Sequence, residues 1–226
     1  MYHAILSQRL GVQVFAYAGA GYGTLQEYLA VDRYLDSVRP DLVVLQTSFN
    51  DLINNSWALE VRSHHNNNFA FRPYLEDNHI VYRFPSRAYP PILLAHSRLS
   101  YLLACQGALV GAMMSSKGIL NTAERDTTSK WFRQSALVTE QIIDMLKTRL
   151  GSVPLVAFAA DGPDSYWSEI LQRQHVPYFV DVPSAVLAEE HRLGASIRPD
   201  GAHWDARGHR VAGEVLARWL SDYLKN

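Results

Sequence analysis

Three short blocks of this 226-residue chain hold residue types that can do chemistry. The first, Ala18-Gly19-Ala20-Gly21-Tyr22-Gly23-Thr24, follows the β-rich run Val12–Tyr17. Its glycines permit a tight turn, because a residue without Cβ accepts positive φ at little cost. As a dinucleotide loop it is incomplete: Thr24 stands where a third glycine belongs, and no strand-end acid follows about 20 residues on. The second block is Thr47-Ser48-Phe49-Asn50-Asp51, after the apolar run Asp41–Thr47. Asn50 and Asp51 can cap the next helix. Alternatively, the Asn50 amide can serve a developing oxyanion, where one donor contributes about 3–4 kcal/mol. The third is Arg198-Pro199-Asp200-Gly201-Ala202-His203-Trp204-Asp205. Its Asp200 carboxylate can hold the His203 Nδ1–H and leave Nε2 as a general base. The simpler reading is a loop acid beside a packed histidine.

These blocks need a scaffold, and the hydropathy pattern supplies one. Residues 1–10 form an amphipathic helical pattern. Val12–Tyr17 is expected as a strand, and Leu25–Val38 as a helix stopped by Arg39-Pro40. Asp41–Thr47 is a near-continuous apolar strand of the kind buried on both faces of a parallel sheet. Ser129–Leu150 is a long helix that Gly151 ends. Pro154–Ala160, a helix over Pro163–Gln174 and the run Pro177–Val182 repeat the strand–helix–strand unit. Arg207–Leu224 closes the chain as a helix with Val211, Val215, Leu216, Trp219 and Leu220 on one face. The alternation implies a three-layer α/β fold with a parallel sheet. Ligands bind such sheets beyond the carboxyl ends of the strands, where the three blocks fall. Residues 55–125 break the rhythm and read as an insertion in a single domain spanning 1–226.

Composition removes several classes. A net charge of −1 gives no basic excess to drive nucleic-acid binding. With 48% hydrophobic and 19% charged residues the chain is globular rather than disordered. Cys105 is the only cysteine, which excludes an intrachain disulfide and a thiolate zinc site. Leu99–Ser116 carries no formal charge, but Ser100, Gln106, Ser115 and Ser116 dilute it below the ~20 apolar residues that a membrane span requires. It reads as a buried or interface helix. His64-His65 suits a solvated loop better than a metal site, and the glycosylation pattern Asn54-Asn55-Ser56 is common by chance. Trp57, Tyr74, Tyr82 and Tyr89 offer either an aromatic wall for substrate or core packing. Asp161 can contact substrate or cap a helix.

Taken together, Gly21, Asn50-Asp51 and Asp200-x-x-His203-Trp204 followed by Gly208-His209 resemble the SGNH (GDSL-type) hydrolase family. Three of the family's four blocks are recognisable in order along the chain. The resemblance implies a flavodoxin-like α/β/α sandwich that hydrolyses small-molecule, carbohydrate or lipid esters, with no cofactor or metal. It makes Gly21 N–H and the Asn50 amide oxyanion donors, His203 the base and Asp200 its orienting acid. The family's nucleophilic serine, in a Gly-Asp-Ser block at the end of the first strand, has no counterpart here. Tyr2–Leu10 looks like the helix that follows that strand, so strand and serine are expected upstream of residue 1, making the chain a fragment or a misassigned start. Ser48, where the family has glycine, is not read as a replacement. In the family the first strand lies between those matching Val12–Tyr17 and Asp41–Thr47. Its absence predicts direct pairing of these two runs, poor stability or an added strand from another chain, because unpaired buried backbone groups are costly. The alternative is a non-catalytic carbohydrate- or partner-binding module on the same fold.

Overall fold

A computed structural model describes residues 1–19, 21–61, 71–83, 97–100, 102–103, 106, 128–162, 165–199 and 203–225. The chain divides into two compact units. The first comprises Met1–Tyr17, Ser37–Ser48 and Ser152–Asn226; the second comprises Ala18–Asp36 and Phe49–Gly151. The architecture is mixed α/β.

In the first unit β1 (Val43–Thr47), β4 (Leu155–Ala159) and β5 (Tyr178–Phe179) form a parallel sheet in the order β1-β4-β5. Val43 pairs with Leu155 and Thr47 with Ala159. Every residue of β4 is buried, as its unbroken apolar sequence requires of a strand covered on both faces. Phe158 and Val156 meet Leu6, Val182, Val186, Leu216 and Leu220 in one apolar core. Leu6 comes from α1 (Tyr2–Leu10), Val182 and Val186 from α7 (Val182–Leu193), and Leu216 and Leu220 from α8 (Ala206–Tyr223). At Gly213 the helices α1 and α8 approach so closely that a Cβ would lie 2.8 Å from Ile5 Cβ.

Two expected strands differ. Val12–Tyr17 forms no strand, and its Val12, Phe15 and Tyr17 are 42%, 50% and 45% exposed. A strand exists only through a partner's hydrogen bonds, and none is beside this run among the described residues. Direct pairing with β1 is therefore not formed. The parallel ladder turns the backbone groups of Val43 and Thr47 toward β4, through Val43 N–H to Pro154 O and Ala160 N–H to Thr47 O, both 2.9 Å. Val44 and Gln46 consequently face the opposite edge, where no described strand pairs. The run Pro177–Val182 yields only the two residues of β5, because Val182 already opens α7 with Pro183 in its first turn. A proline there has the helical φ and lacks only an N–H that the helix would leave unused.

The second unit holds α2 (Thr24–Val38), α3 (Phe49–Asn54), α4 (Trp57–Glu60), the strands β2 (Arg72–Glu76) and β3 (His79–Arg83), and α5 (Lys130–Leu150). Strands β2 and β3 form an antiparallel hairpin turned by Asp77-Asn78 at φ 49° and 62°, the pair of positive values of a type I′ turn. Helix α5 starts where Ser129 Oγ accepts from Phe132 N–H at 3.3 Å and stops at Gly151, φ 61°. Phe132, Ile142, Ile143 and Leu146 are fully buried along it. Arg149 near its end donates to Asp32 at 2.7 Å and Asp36 at 3.0 Å on α2. Most of Leu99–Ser116 lies outside the described residues, and no described helix is long and apolar enough to cross a membrane.

Candidate functional site

The glycine block and the asparagine block both build the second unit. Tyr22 N–H donates to Gly19 O at 3.1 Å and closes a four-residue turn. Gly21 takes φ 73°, a positive value that a residue without Cβ adopts at little cost. Beyond it, Gly23 presses so closely on α3 that a Cβ would stand 2.8 Å from Asn54 Cβ. Asn54 Nδ2 donates to Tyr22 O at 3.5 Å. Asn55 completes the seam: its Oδ1 accepts from Leu25 N–H at 3.4 Å, and its Nδ2 donates at 2.9 Å to both Thr24 Oγ1 and Thr139 Oγ1. Asn54 is wholly buried, so this fold offers no accessible acceptor to a glycosyltransferase there.

Asn50 precedes Asn54 by four residues on the same helix, which puts both on one stripe with Cβ atoms about 5–6 Å apart. Asn50 is half-buried one helical turn before Asn54, which contacts the glycine turn. Neither the Gly21 N–H nor the half-buried Asn50 amide has a hydrogen-bond partner among the described residues. Two N–H donors are thus held on the same unit with their capacity unspent.

The other side of the turn is clamped from the hairpin. Arg72 Nη2–H donates to Gly21 O, and Nη1–H donates to Glu60 Oε1 at 2.8 Å. Glu60 Oε2 accepts from Tyr74 O–H at 2.6 Å. Burial first, and then the Glu60 carboxylate, push the Tyr74 phenol well above its ordinary range and keep it protonated. Glu27, in the first turn of α2, is half-buried as a residue, yet its Oε2 is sealed from water without a partner. Burial pushes this carboxyl up to about 8.

The histidine block belongs to the first unit. Asp205 N–H donates to Ile197 O at 2.9 Å, closing a loop immediately before α8. Asp205 then caps the helix, its Oδ1 accepting from Arg207 N–H at 2.8 Å and Gly208 N–H at 2.9 Å. The near side of the loop is gathered by Glu190. Its Oε1 accepts from Ser196 Oγ–H at 2.8 Å, Ile197 N–H at 3.0 Å and Arg198 Nε–H at 3.1 Å, and its Oε2 from Arg198 Nη2–H at 2.6 Å. The Arg198 and Ser196 hydrogen bonds hold its carboxyl down at about 2. His203 stands exposed on this loop, and Asp200 lies outside the described residues. His209, on the first turns of α8, stacks on Tyr2 with ring centroids 6.0 Å apart. Burial lowers its imidazole, and its Nδ1 is sealed without a partner.

Gly21 and Asn50 therefore share one unit, and His203 lies in the other. Ser48, between β1 and α3, accepts through its carbonyl at 2.9 Å from the Nε1–H of Trp167, which lies on α6 (Ser165–Arg173). Asp161 is exposed just past β4. Of the insertion's aromatic residues, Tyr74 is core, Trp57 lies beneath the Arg83 guanidinium at 5.1 Å, and Tyr82 is exposed and stacked on Phe71 at 5.9 Å. Tyr89, His64 and His65 lie outside the described residues. Sequence reading missed Arg72 and Glu60. The available signal was two opposite charges, Glu60 after Ala58-Leu59 and Arg72 before Pro73-Tyr74-Leu75, each set in an apolar stretch. No family model, curated protein or solved structure matches this chain.

Proposed function

We propose that the chain carries the base and oxyanion donors of a serine-type ester hydrolase on a flavodoxin-like, SGNH-type α/β/α sandwich. The observation that supports this reading is the pair of unspent donors, Gly21 N–H and the Asn50 amide, on a unit whose surrounding amides are hydrogen-bonded. Donors aimed at developing charge are useful only when they need no rearrangement at the moment of reaction. In the proposed reaction a serine Oγ adds to the carbonyl carbon of a carboxylic ester, and His203 Nε2 takes its proton. Gly21 and Asn50 receive the oxyanion, and Asp200 orients the imidazole. Collapse of the intermediate expels the alcohol, which takes the proton from His203, and water then releases the acid by the same route. No block of the chain supplies the serine, so the 226 residues alone are expected to bind the ester carbonyl and turn over negligibly.

The test is labelling with a serine-reactive fluorophosphonate, mapped by mass spectrometry, on this chain and on a version extended upstream of Met1. The expected result is labelling of the extended version alone, lost on His203→Ala. Labelling of Ser48 that depends on His203 would overturn the absence of a nucleophile. Failure of both versions to react, combined with saturable carbohydrate binding, would replace the hydrolase reading with that of a binding module.

A further inference from the structure

We infer that the open edge of β1 pairs with the same edge of a second copy of this chain, antiparallel about a two-fold axis at Leu45, so that the two parallel sheets become one. The inference is independent of the hydrolase reading and concerns the 226-residue chain as it stands.

The edge is both open and unguarded. Val43, Leu45 and Thr47 spend their backbone groups on β4, which leaves the N–H and C=O of Val44 and Gln46 pointing away from it. No backbone group among the described residues meets them, and the run Val12–Tyr17 of the same unit forms no strand beside them. Edge strands ordinarily carry a lysine, a proline, an inward charge or a bulge that discourages further pairing. Val43–Thr47 has none of these residues, and its ladder with β4 runs through five successive pairs without a bulge. The strand is also held firmly in place. Val44 packs against the apolar core, and Gln46 Oε1 accepts from Tyr2 O–H at 2.8 Å.

A second copy is the occupant that this edge fits, because the edge is complementary to itself. With a two-fold axis at Leu45, Val44 lies opposite Gln46 of the second copy, and Gln46 opposite its Val44. Each of these pairs exchanges two N–H···O=C bonds, as hydrogen-bonded pairs of an antiparallel ladder do. Leu45 meets Leu45 of the second copy as the intervening non-hydrogen-bonded pair, which suits a residue whose own groups already point to β4. A two-fold axis also sets every charge near it against its own copy, and like charges facing across strands are destabilising. Val43–Thr47 carries no charge, and the whole chain carries only −1. A contact of one short strand falls below the ~1,200 Å² of a standard interface, so the dimer is weak and concentration-dependent.

The test joins sedimentation equilibrium with residue-resolved hydrogen exchange on the wild-type chain, at about 5 μM and about 500 μM, a span that brackets a weak dimer. The expected result is a mass that rises toward that of a dimer, while exchange at the Val44 and Gln46 amides slows on the order of tenfold. The Leu45 amide, bonded to β4, should be protected at both concentrations. Val44→Pro removes one outward N–H and leaves the β4 ladder intact, since proline is tolerated where the missing N–H faces away from the sheet. This variant should remain monomeric throughout, and the wild-type exchange pattern decides the matter if it fails to fold. A wild type that stays monomeric at both concentrations would overturn the inference. So would Val44 and Gln46 amides already protected at the lower concentration, which would mean that the chain covers its own edge. A dimer that leaves these two amides in fast exchange would place the contact elsewhere and overturn it equally.

Discussion

Arg72 and Glu60 meet at 2.8 Å with 3% and 0% of their side chains exposed, an ion pair sealed inside the second unit. Such a pair is costly to break on one side only, because the surviving charge stays buried. Glu60→Ala should therefore lower the stability of that unit by about 3–5 kcal/mol in urea unfolding. The paired replacement of Glu60 and Arg72 by methionine should cost far less than the single change. A Glu60→Ala protein that unfolds at the wild-type urea midpoint would show that the pair is open to water.

Glu27 predicts a stability slope on the alkaline side. Its folded-state value of about 8 lies above the ordinary 4.5, so the folded state holds this proton more tightly than the unfolded chain. The resulting stabilisation is complete below about pH 4.5 and is lost as the pH rises through 8. Glu27→Gln keeps a neutral side chain at every pH. It should flatten the decline and leave the variant more stable than wild type at pH 9, by about 1–3 kcal/mol. Thermal unfolding at pH 5, 7 and 9 measures this, and parallel curves for the two proteins would refute it.

His209 sets the opposite slope in the first unit. Burial lowers its imidazole below the ordinary 6.5, so the fold prefers the neutral ring. That preference is fully expressed above pH 6.5 and fades as the pH falls through 6.5 toward the lower folded-state value. His209→Phe keeps a ring to stack on Tyr2 and removes the sealed, unpartnered Nδ1. The variant should lose less stability than wild type between pH 7 and pH 5, read from the acid limb of a thermal-unfolding series. An acid limb as steep as that of wild type would assign the loss to other groups.

Glu190 governs the base of the loop that carries His203. Its carboxyl lies at about 2, below the ordinary 4.5, so its grip is complete above about pH 4.5 and is released as the pH falls toward 2. Glu190→Gln should accelerate hydrogen exchange at the Ile197 amide several-fold at pH 7, because that N–H donates to the lost carboxylate. The melting temperature should fall as well, since the Glu190 side chain is only 11% exposed and accepts four hydrogen bonds. Unchanged exchange at Ile197 would show that the Asp205–Ile197 bond alone holds the loop.

The helices were legible because periodicity and end signals are local. Lys130–Leu150 carries its own serine cap and closing glycine, and α8 starts at an aspartate that caps it. The strand β4 was legible because an unbroken apolar run has nowhere to go but the middle of a sheet. Val12–Tyr17 shows the limit. Its composition is that of a strand, but pairing belongs to two segments, and no described strand pairs with it. The hairpin β2–β3 escaped notice although Asp77-Asn78 is an ordinary turn signal.

The sequence by itself determined which residue types stand where chemistry is possible, Gly21, Asn50, Asp200 and His203, and that the chain is a mixed α/β fold with a parallel sheet. Residue types and their spacing suffice for that, because both are read from neighbours in the chain. Tertiary structure alone decided that Asn54 and Asn55 lock the glycine turn, that Asn50 stays unbonded on the same helix stripe, and that Arg72 reaches back 51 residues to Gly21. Those relationships depend on which side chains lose their water, and burial is a property of the folded surface that no local pattern records.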